Sequence, residues 1–186
     1  MNAPERLLLP DIQSMADHRA LAIDQVGVRG LRHPVRVAAP GREPAATIAT
    51  IEMSVALPAA VKGTHMSRFL EVLQSHQGAL GVATLPGLMR LMLNRLDAQR
   101  GELSLRFPYF VTKRAPVSNV ESLMDYDVCL RAKGSADDIE IALDVTVPVT
   151  SLCPCSREIS DYGAHHQRSA VTISALLAAP LDAEDL

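Results

Sequence analysis

Residues 47–57 read TIATIEMSVAL, a stretch in which polar or small residues alternate with larger apolar ones. A period of two places successive side chains on opposite faces of an extended chain, so the stretch predicts a half-buried β-strand. A similar alternation over residues 33–39 predicts a strand before it, and residues 39–44 (APGREP) are typical of the connecting turn. The two stretches therefore predict neighbouring strands of a sheet.

After Pro58 the spacing of apolar residues lengthens to three and four, which indicates helices. Ser67 is the expected N-cap of a first helix. A second helix is predicted from Leu85 to Arg100, with Pro86 in its first turn and Gly101 as its C-terminal stop. Two helices therefore follow the first two strands.

Strand-like alternation returns in four later segments, at residues 102–107, 122–132, 139–149 and 169–176. This order predicts an α+β fold, in which an antiparallel sheet carries two helices on one face. We expect residues 1–136 to form an N-terminal arm and one such unit, and residues 137–186 to begin a second, incomplete unit. The arm, residues 9–27, is expected to pack on a neighbouring subunit.

The composition excludes several classes of protein. The 186 residues are 48% apolar but only 3% aromatic, so the core must be mainly aliphatic. The net charge of −3 lacks the basic surplus of a nucleic-acid-binding protein. No stretch reaches the roughly 18 apolar residues that span a bilayer. Three cysteines without a secretion signal indicate a reduced, cytoplasmic protein.

Residues 150–169, TSLCPCSREISDYGAHHQRS, carry the densest set of reactive side chains, Cys153, Cys155, His165 and His166. Thiolate and imidazole are the ligands that Zn²⁺ and related divalent ions prefer. One cysteine with one histidine is easier to arrange around a metal than both cysteines, and a third ligand must come from elsewhere. The alternative is a pair of buried structural cysteines, the interpretation that we favour for Cys129 in its strand.

Residues 62–69, KGTHMSRF, place Lys62, His65 and Arg68 at the entrance to the first predicted helix. Free amide groups at a helix N-terminus attract anions, so the segment is a candidate phosphate site. The alternative is an ordinary helix start with solvated basic residues. A further basic pair, Lys113 and Arg114, is better explained as a solvated strand end.

Several motifs in order resemble one family, the type IB GTP cyclohydrolases. The resemblance runs from about Leu9 to Ile173. The motifs are residues 62–69, FPYF at 107–110, KRAPVS at 113–118, MDY at 124–126, SLCPCS at 151–156 and GAHHQRS at 163–169.

This resemblance implies a tunnelling fold with two units in tandem, and a barrel-like homo-oligomer, a tetramer, with active sites at the interfaces between units. It implies that GTP and water are converted to 7,8-dihydroneopterin triphosphate and formate, the first step of tetrahydrofolate biosynthesis. It also implies a divalent metal ion, zinc, manganese or iron, that activates water for attack on the purine ring.

Residue by residue, Cys153 matches the family's catalytic, metal-binding cysteine and His165 matches a histidine at the metal. Cys155 matches the second cysteine of the motif and is a further candidate ligand. The family usually has asparagine where this chain has His166, so no role is carried onto that residue. The family's remaining ligands, a glutamate and a histidine, and its purine-anchoring glutamate lie in the later part of the second unit, and we expect this chain to stop before them.

Two alternatives therefore stay open at the level of sequence. The chain is an inactive or partner-dependent fragment of such an enzyme, or it is a related cyclohydrolase that makes a cyclic phosphate pterin.

Overall fold

The computed structural model describes residues 13, 15, 16, 18–39, 41–159, 161, 166–178 and 183. Within this part of the chain, one antiparallel sheet contains six strands in sequence order. The elements are β1 (Ile23–Ala39), β2 (Arg42–Leu57), α1 (Met66–Ser75), α2 (Leu85–Arg95), β3 (Arg100–Arg114), β4 (Glu121–Ser135), β5 (Ile139–Leu152), α3 (Pro154–Ile159) and β6 (His166–Leu177).

The α+β architecture predicted from the sequence is confirmed. Helices α1 and α2 lie in the connection between β2 and β3, and each of the six strands pairs antiparallel with the next strand along the chain. Strands β5 and β6 continue the same sheet, because Asp127 to Gly134 of β4 pair with Thr146 to Ile139 of β5.

The predicted start of α2 at Leu85 is confirmed, whereas the predicted start of α1 and the predicted end of α2 were wrong. Helix α1 begins one residue before Ser67, and His65 is its N-cap residue. Helix α2 ends at Arg95 because Asp97 takes the left-handed conformation with φ of 51°. The Ala98 N–H then donates to the Leu93 carbonyl at 2.9 Å, as in a Schellman motif. Gly101 is therefore no helix stop and pairs with Val55 inside the sheet.

The core lies between one face of the sheet and helices α1 and α2. Alternate residues of β2 and β3 point to this face, and they are met by side chains of α2 such as Met89 and Met92. The fully buried side chains are largely aliphatic, as the composition predicted, and the largest are Phe69, Ile51, Met53, Leu85, Leu88, Met89, Met92, Leu103, Leu105, Leu143, Val55 and Val72.

The opposite face of the sheet, here called the open face, carries charged and polar side chains together with exposed apolar ones such as Ile48 and Phe110. Gln25 donates to Glu102 at 2.8 Å across β1 to β3. Arg131 of β4 and Asp144 of β5 form an ion pair at 2.8 Å. These contacts satisfy charged groups at the surface, where each such ion pair adds little stability.

The sheet has two chemically different ends. At one end, here called the cysteine end, β1 turns into β2, β3 turns into β4, and β5 connects to β6 through α3. At the other end, here called the helix-entry end, β2 passes into the segment before α1. Strand β5 alone has 14 residues, so the two ends are separated by on the order of 40 Å.

The N-terminal segment packs on its own chain where it is described. Ala16 bridges Val61, and the N–H groups of Lys62 and Gly63 donate to the carbonyls of Met15 and Gln13 at 3.1 and 3.2 Å. These contacts within the chain leave the expected packing of the arm on a neighbouring subunit as a prediction. The end of the predicted arm, from Ile23, is already β1.

Gly27 and Gly87 offer a matched test of the fold. A Cβ at Gly27 would overlap the Met53 carbonyl on the paired strand, whereas a Cβ at Gly87 in α2 meets nothing within 4 Å. We expect Gly27→Ala to lower the free energy of unfolding by about 2 kcal/mol through this clash. Gly87→Ala should raise it by about 0.5 kcal/mol, since alanine is the better helix former. Urea unfolding of both variants measures the difference, and equal stabilities would contradict the β1–β2 register.

Candidate active site

Cys153 lies at the junction between β5 and α3. It directly follows Leu152, the last residue of β5, and precedes Pro154, the first residue of α3. The Arg157 N–H donates to the Cys153 carbonyl at 3.2 Å, which is the first helical hydrogen bond of α3. The Cys153 thiol is half-buried, and Cys155 inside the helix is exposed. Cys153 and Cys155 are two positions apart at the start of α3, so their thiols do not lie on the same face of the helix.

The β5–β6 ladder places the end of β5, next to Cys153, opposite the start of β6. Its last described pair is Leu152 with His166. The residue before Cys153 therefore lies opposite the residue after His165. His165 itself lies outside the described residues. His166 is exposed at the start of β6, and the period of two places it on the same face as Arg168.

The connection between β5 and β6 is shorter than the sequence suggested. Residues 150–152 belong to β5 and residues 166–169 to β6, so the motif straddles two strands and a helix. Pro154 fits the first position of α3, because its ring fixes a helical φ and its missing N–H would have no helical partner there.

The described residues supply only part of a metal site. They contain no group of three or more His, Cys, Asp or Glu side chains placed to hold an ion. Cys153 suits one thiolate ligand, since it is half-buried and ends a rigid strand. The third cysteine, Cys129, belongs to the sheet, with its Sγ 3.4 Å from the Ser104 Oγ. It is buried, which confirms its interpretation as a core residue.

The candidate phosphate segment lies at the helix-entry end and is not brought near Cys153 within one chain. His65 is the N-cap of α1, and its carbonyl accepts from the Arg68 N–H at 3.1 Å. The Arg68 Nη1 donates to the Arg95 carbonyl at 3.4 Å. This bond fastens the start of α1 to the end of α2, where helix carbonyls favour a cation. Lys62 is exposed beside the N-terminal segment.

Lys113 and Arg114 lie instead at the cysteine end, in the β3–β4 hairpin. Arg114 forms an ion pair with Glu121 at 2.5 Å, and the Lys113 Nζ lies 5.7 Å from the centre of the Tyr126 ring. Lys113 and Arg114 are both exposed at the end of β3, which confirms their interpretation as a solvated strand end. The register of β3 and β4 brings Glu121 and Tyr126 beside the two basic residues. The residue types alone did not predict these contacts.

The three thiols should differ in reactivity. Cys155 is exposed, Cys153 is half-buried and Cys129 is buried. We expect an alkylating reagent on the native, metal-free chain to modify Cys155 first, Cys153 more slowly and Cys129 only on unfolding, because access limits the reaction. Peptide mass spectrometry over time gives the order. Early modification of Cys129 would contradict its place between β3 and β5.

None of the helices in the described part of the chain is long and apolar enough to cross a membrane.

Comparison with known proteins identifies relatives over almost the whole chain. A protein from Dechloromonas aromatica named GTP cyclohydrolase FolE2 1 is 54% identical over 187 residues, which cover 100% of this chain and 70% of the relative. GTP cyclohydrolase FolE2 from Bordetella avium is 49% identical over 95% of this chain and 68% of its own length. The corresponding protein of Methylobacillus flagellatus is 48% identical over 95% of this chain and 66% of its own length.

The sequence model for the family described as type I GTP cyclohydrolase FolE2 matches residues 9–186. This match contains both strands that flank Cys153 and the segment before α1. The chain belongs to the type I GTP cyclohydrolase FolE2 family.

Proposed function

We propose that this chain is a type IB GTP cyclohydrolase, which hydrolyses GTP to 7,8-dihydroneopterin triphosphate and formate in the first step of tetrahydrofolate biosynthesis. The family match over residues 9–186 carries this proposal. The position of Cys153 supports it, because a half-buried thiol at the end of a sheet strand is held in place and still accessible.

Cys153 and His165 are the proposed metal ligands, with Cys155 as a further candidate. The ladder that ends at Leu152 and His166 supports the pairing of the first two. A bound divalent ion, zinc, manganese or iron, supplies Lewis acidity that makes water nucleophilic near neutral pH. Cys153 would contribute its thiolate, and His165 an imidazole that also suits proton transfer to the opening ring. The described residues of one chain form no group of three or more His, Cys, Asp or Glu side chains that would complete the site.

The assembly that we propose is the tunnelling fold of a homo-oligomer, with GTP as the substrate. The six-stranded antiparallel sheet with α1 and α2 on one face supports it, and so does the polar open face. Strand β6 pairs on one side only among the described strands, so its other edge offers free backbone groups to a further strand. The division at residues 136 and 137 into tandem units and the tetrameric state belong to the same proposal.

The two candidate segments suggest a site shared between chains. Lys62, His65 and Arg68 lie at the helix-entry end, on the order of 40 Å from the cysteine end. A triphosphate is far too short to join these ends within one chain. We therefore propose that the phosphate-binding segment of one subunit meets the Cys153 region of its neighbour. Arg68 retains further N–H donors besides the one that it gives to Arg95.

Replacing Cys153 tests the metal site. We expect Cys153→Ala to lose most of its bound metal, measured by elemental analysis of the purified chain, and to release formate from GTP at least about a hundredfold more slowly. Cys129→Ala is the matched control, because it removes a thiol from the sheet and should keep the metal. Cys155→Ala shows whether the second thiol is a ligand.

A Cys153→Ala variant with normal metal content would contradict the proposed ligand. A folded wild-type chain that neither binds metal nor releases formate would contradict the proposed function of this chain. Chromatographic analysis of the pterin product distinguishes a linear triphosphate from a cyclic phosphate.

A shared site predicts complementation between variants. Lys62→Ala should raise the KM for GTP, since it removes a cation from the phosphate segment, and Cys153→Ala should be inactive. When the two variants are unfolded together and refolded, mixed oligomers should regain activity, because some interfaces then combine Cys153 of one chain with Lys62 of another. Activity no greater than the sum of the separately refolded variants would contradict a site that spans two chains.

A further inference from the structure

The N-terminal segment is bonded directly to the candidate phosphate segment. The described residues 13, 15 and 16, here called the strap, lie beside the chain that leads into α1. The Lys62 N–H donates to the Met15 carbonyl at 3.1 Å, and the Gly63 N–H donates to the Gln13 carbonyl at 3.2 Å. The strap therefore restrains the backbone at the two positions where the basic segment begins.

The side chain of Gln13 also covers Gly63. A Cβ added to Gly63 would overlap the Gln13 Oε1 and meet the Gln13 Cδ at 3.2 Å, and it would touch no other residue within 4 Å apart from its chain neighbours. Gly63 is not one of the described glycines with a positive φ, so its conformation does not require glycine. The missing side chain instead leaves the space that the Gln13 amide occupies.

The phosphate segment is otherwise held at its two ends. Before it, the Val61 N–H donates to the Pro58 carbonyl at 3.0 Å. After it, the Arg68 side chain fastens the start of α1 to the Arg95 carbonyl. Between these points, the Thr64 Oγ1 is covered and has no hydrogen-bond partner among the described residues, so it does not help to hold the segment. The strap supplies the restraint at Lys62 and Gly63.

We propose that Gln13 is a positioning residue, which keeps the segment from Lys62 to Arg68 in the conformation that receives the triphosphate of the substrate. This inference rests on the function proposed above. Gln13 acts through Gly63 and does not itself touch the substrate. Its contacts fix the backbone before binding, so less conformational entropy is lost when the anion binds.

The bonds of the strap also decide which groups remain for the anion. The N–H groups of Lys62 and Gly63 already donate to the strap, so they are not offered to a phosphate. The Lys62 side chain stays exposed. Because the Gln13 amide is neutral, it covers the backbone without offsetting the positive charge of the segment.

A double-mutant cycle tests the contact. Inorganic triphosphate is the probe, because calorimetry measures its binding to the full-length chain without turnover. We expect Gln13→Ala and Gly63→Ala each to weaken binding about fivefold or more, since either change removes the amide from its place. The double variant should bind no more weakly than Gln13→Ala alone, because the new methyl group then meets no Gln13 amide. Met15→Ala is the matched control, since it removes an exposed side chain and keeps the bonded carbonyl.

A charged replacement distinguishes positioning from simple packing. Gln13→Glu keeps nearly the same shape, so a packing role alone predicts binding close to that of the wild type. A position beside the bound anion predicts that Gln13→Glu binds triphosphate more weakly than Gln13→Ala, because the carboxylate repels it. The KM for GTP should rise in the same order while kcat stays near the wild-type value. Circular dichroism and the urea midpoint should stay near those of the wild type.

Lys62→Ala separates this inference from the proposed function. A wild-type chain that does not bind triphosphate, or a Lys62→Ala variant that binds it as tightly as the wild type, would show that the phosphate segment is wrongly assigned, and the role of Gln13 would fall with it. If Lys62→Ala weakens binding while Gln13→Ala and Gly63→Ala bind normally, the role of Gln13 alone is overturned. Additive losses in the double variant would also overturn it.

Discussion

The burial of one face of β2 and β3 beneath α2 is the interaction on which the rest of the structure depends. Met53, Val55 and Leu103 are almost completely buried there, against Met89 and Met92. Each Å² of apolar surface removed from water there contributes about 25 cal/mol to folding. Because the two strands alternate strictly, burying one face commits the polar residues to the other. The residues of the open face are therefore set by the burial of the core face.

The sheet separates chemical groups that the chain places in different segments. The long strands carry the Cys153 region to one end and the segment from Lys62 to Arg68 to the other. Holding a substrate in place beside the catalytic groups is worth several orders of magnitude in rate. One substrate cannot contact both segments of the same chain, because they lie at opposite ends of the sheet. In the assembly proposed above, a second copy would place its helix-entry end beside the cysteine end of the first.

The cysteine end of the sheet carries two features that lack neighbours within the described chain. Among the described residues, Cys153 is not part of a complete set of metal ligands. In the β3–β4 hairpin, the side chains of Leu123 and Val117 are exposed. Leu123 lies in β4 and Cys153 directly follows β5, and both strands continue past the last pair that joins them, Asp127 with Thr146. Surfaces of this kind favour association because unpaired ribbons and grouped apolar side chains are stabilised by contact with another chain.

The sequence by itself determined the order of the six strands and of helices α1 and α2, the aliphatic core, and the family motifs around Cys153, because these depend on periodicity and residue type within short windows. It did not predict α3, whose six residues are too few to show a helical period. It did not determine where α2 ends, since the left-handed conformation of Asp97 competes locally with Gly101 as a stop. Only the tertiary structure decided that Arg68 is fastened to Arg95, that Lys113 and Arg114 make contacts within a projecting hairpin, and that the two candidate site segments lie at opposite ends. These facts depend on strand register and strand length. Because register joins residues that are far apart in sequence, no short stretch of sequence predicts them.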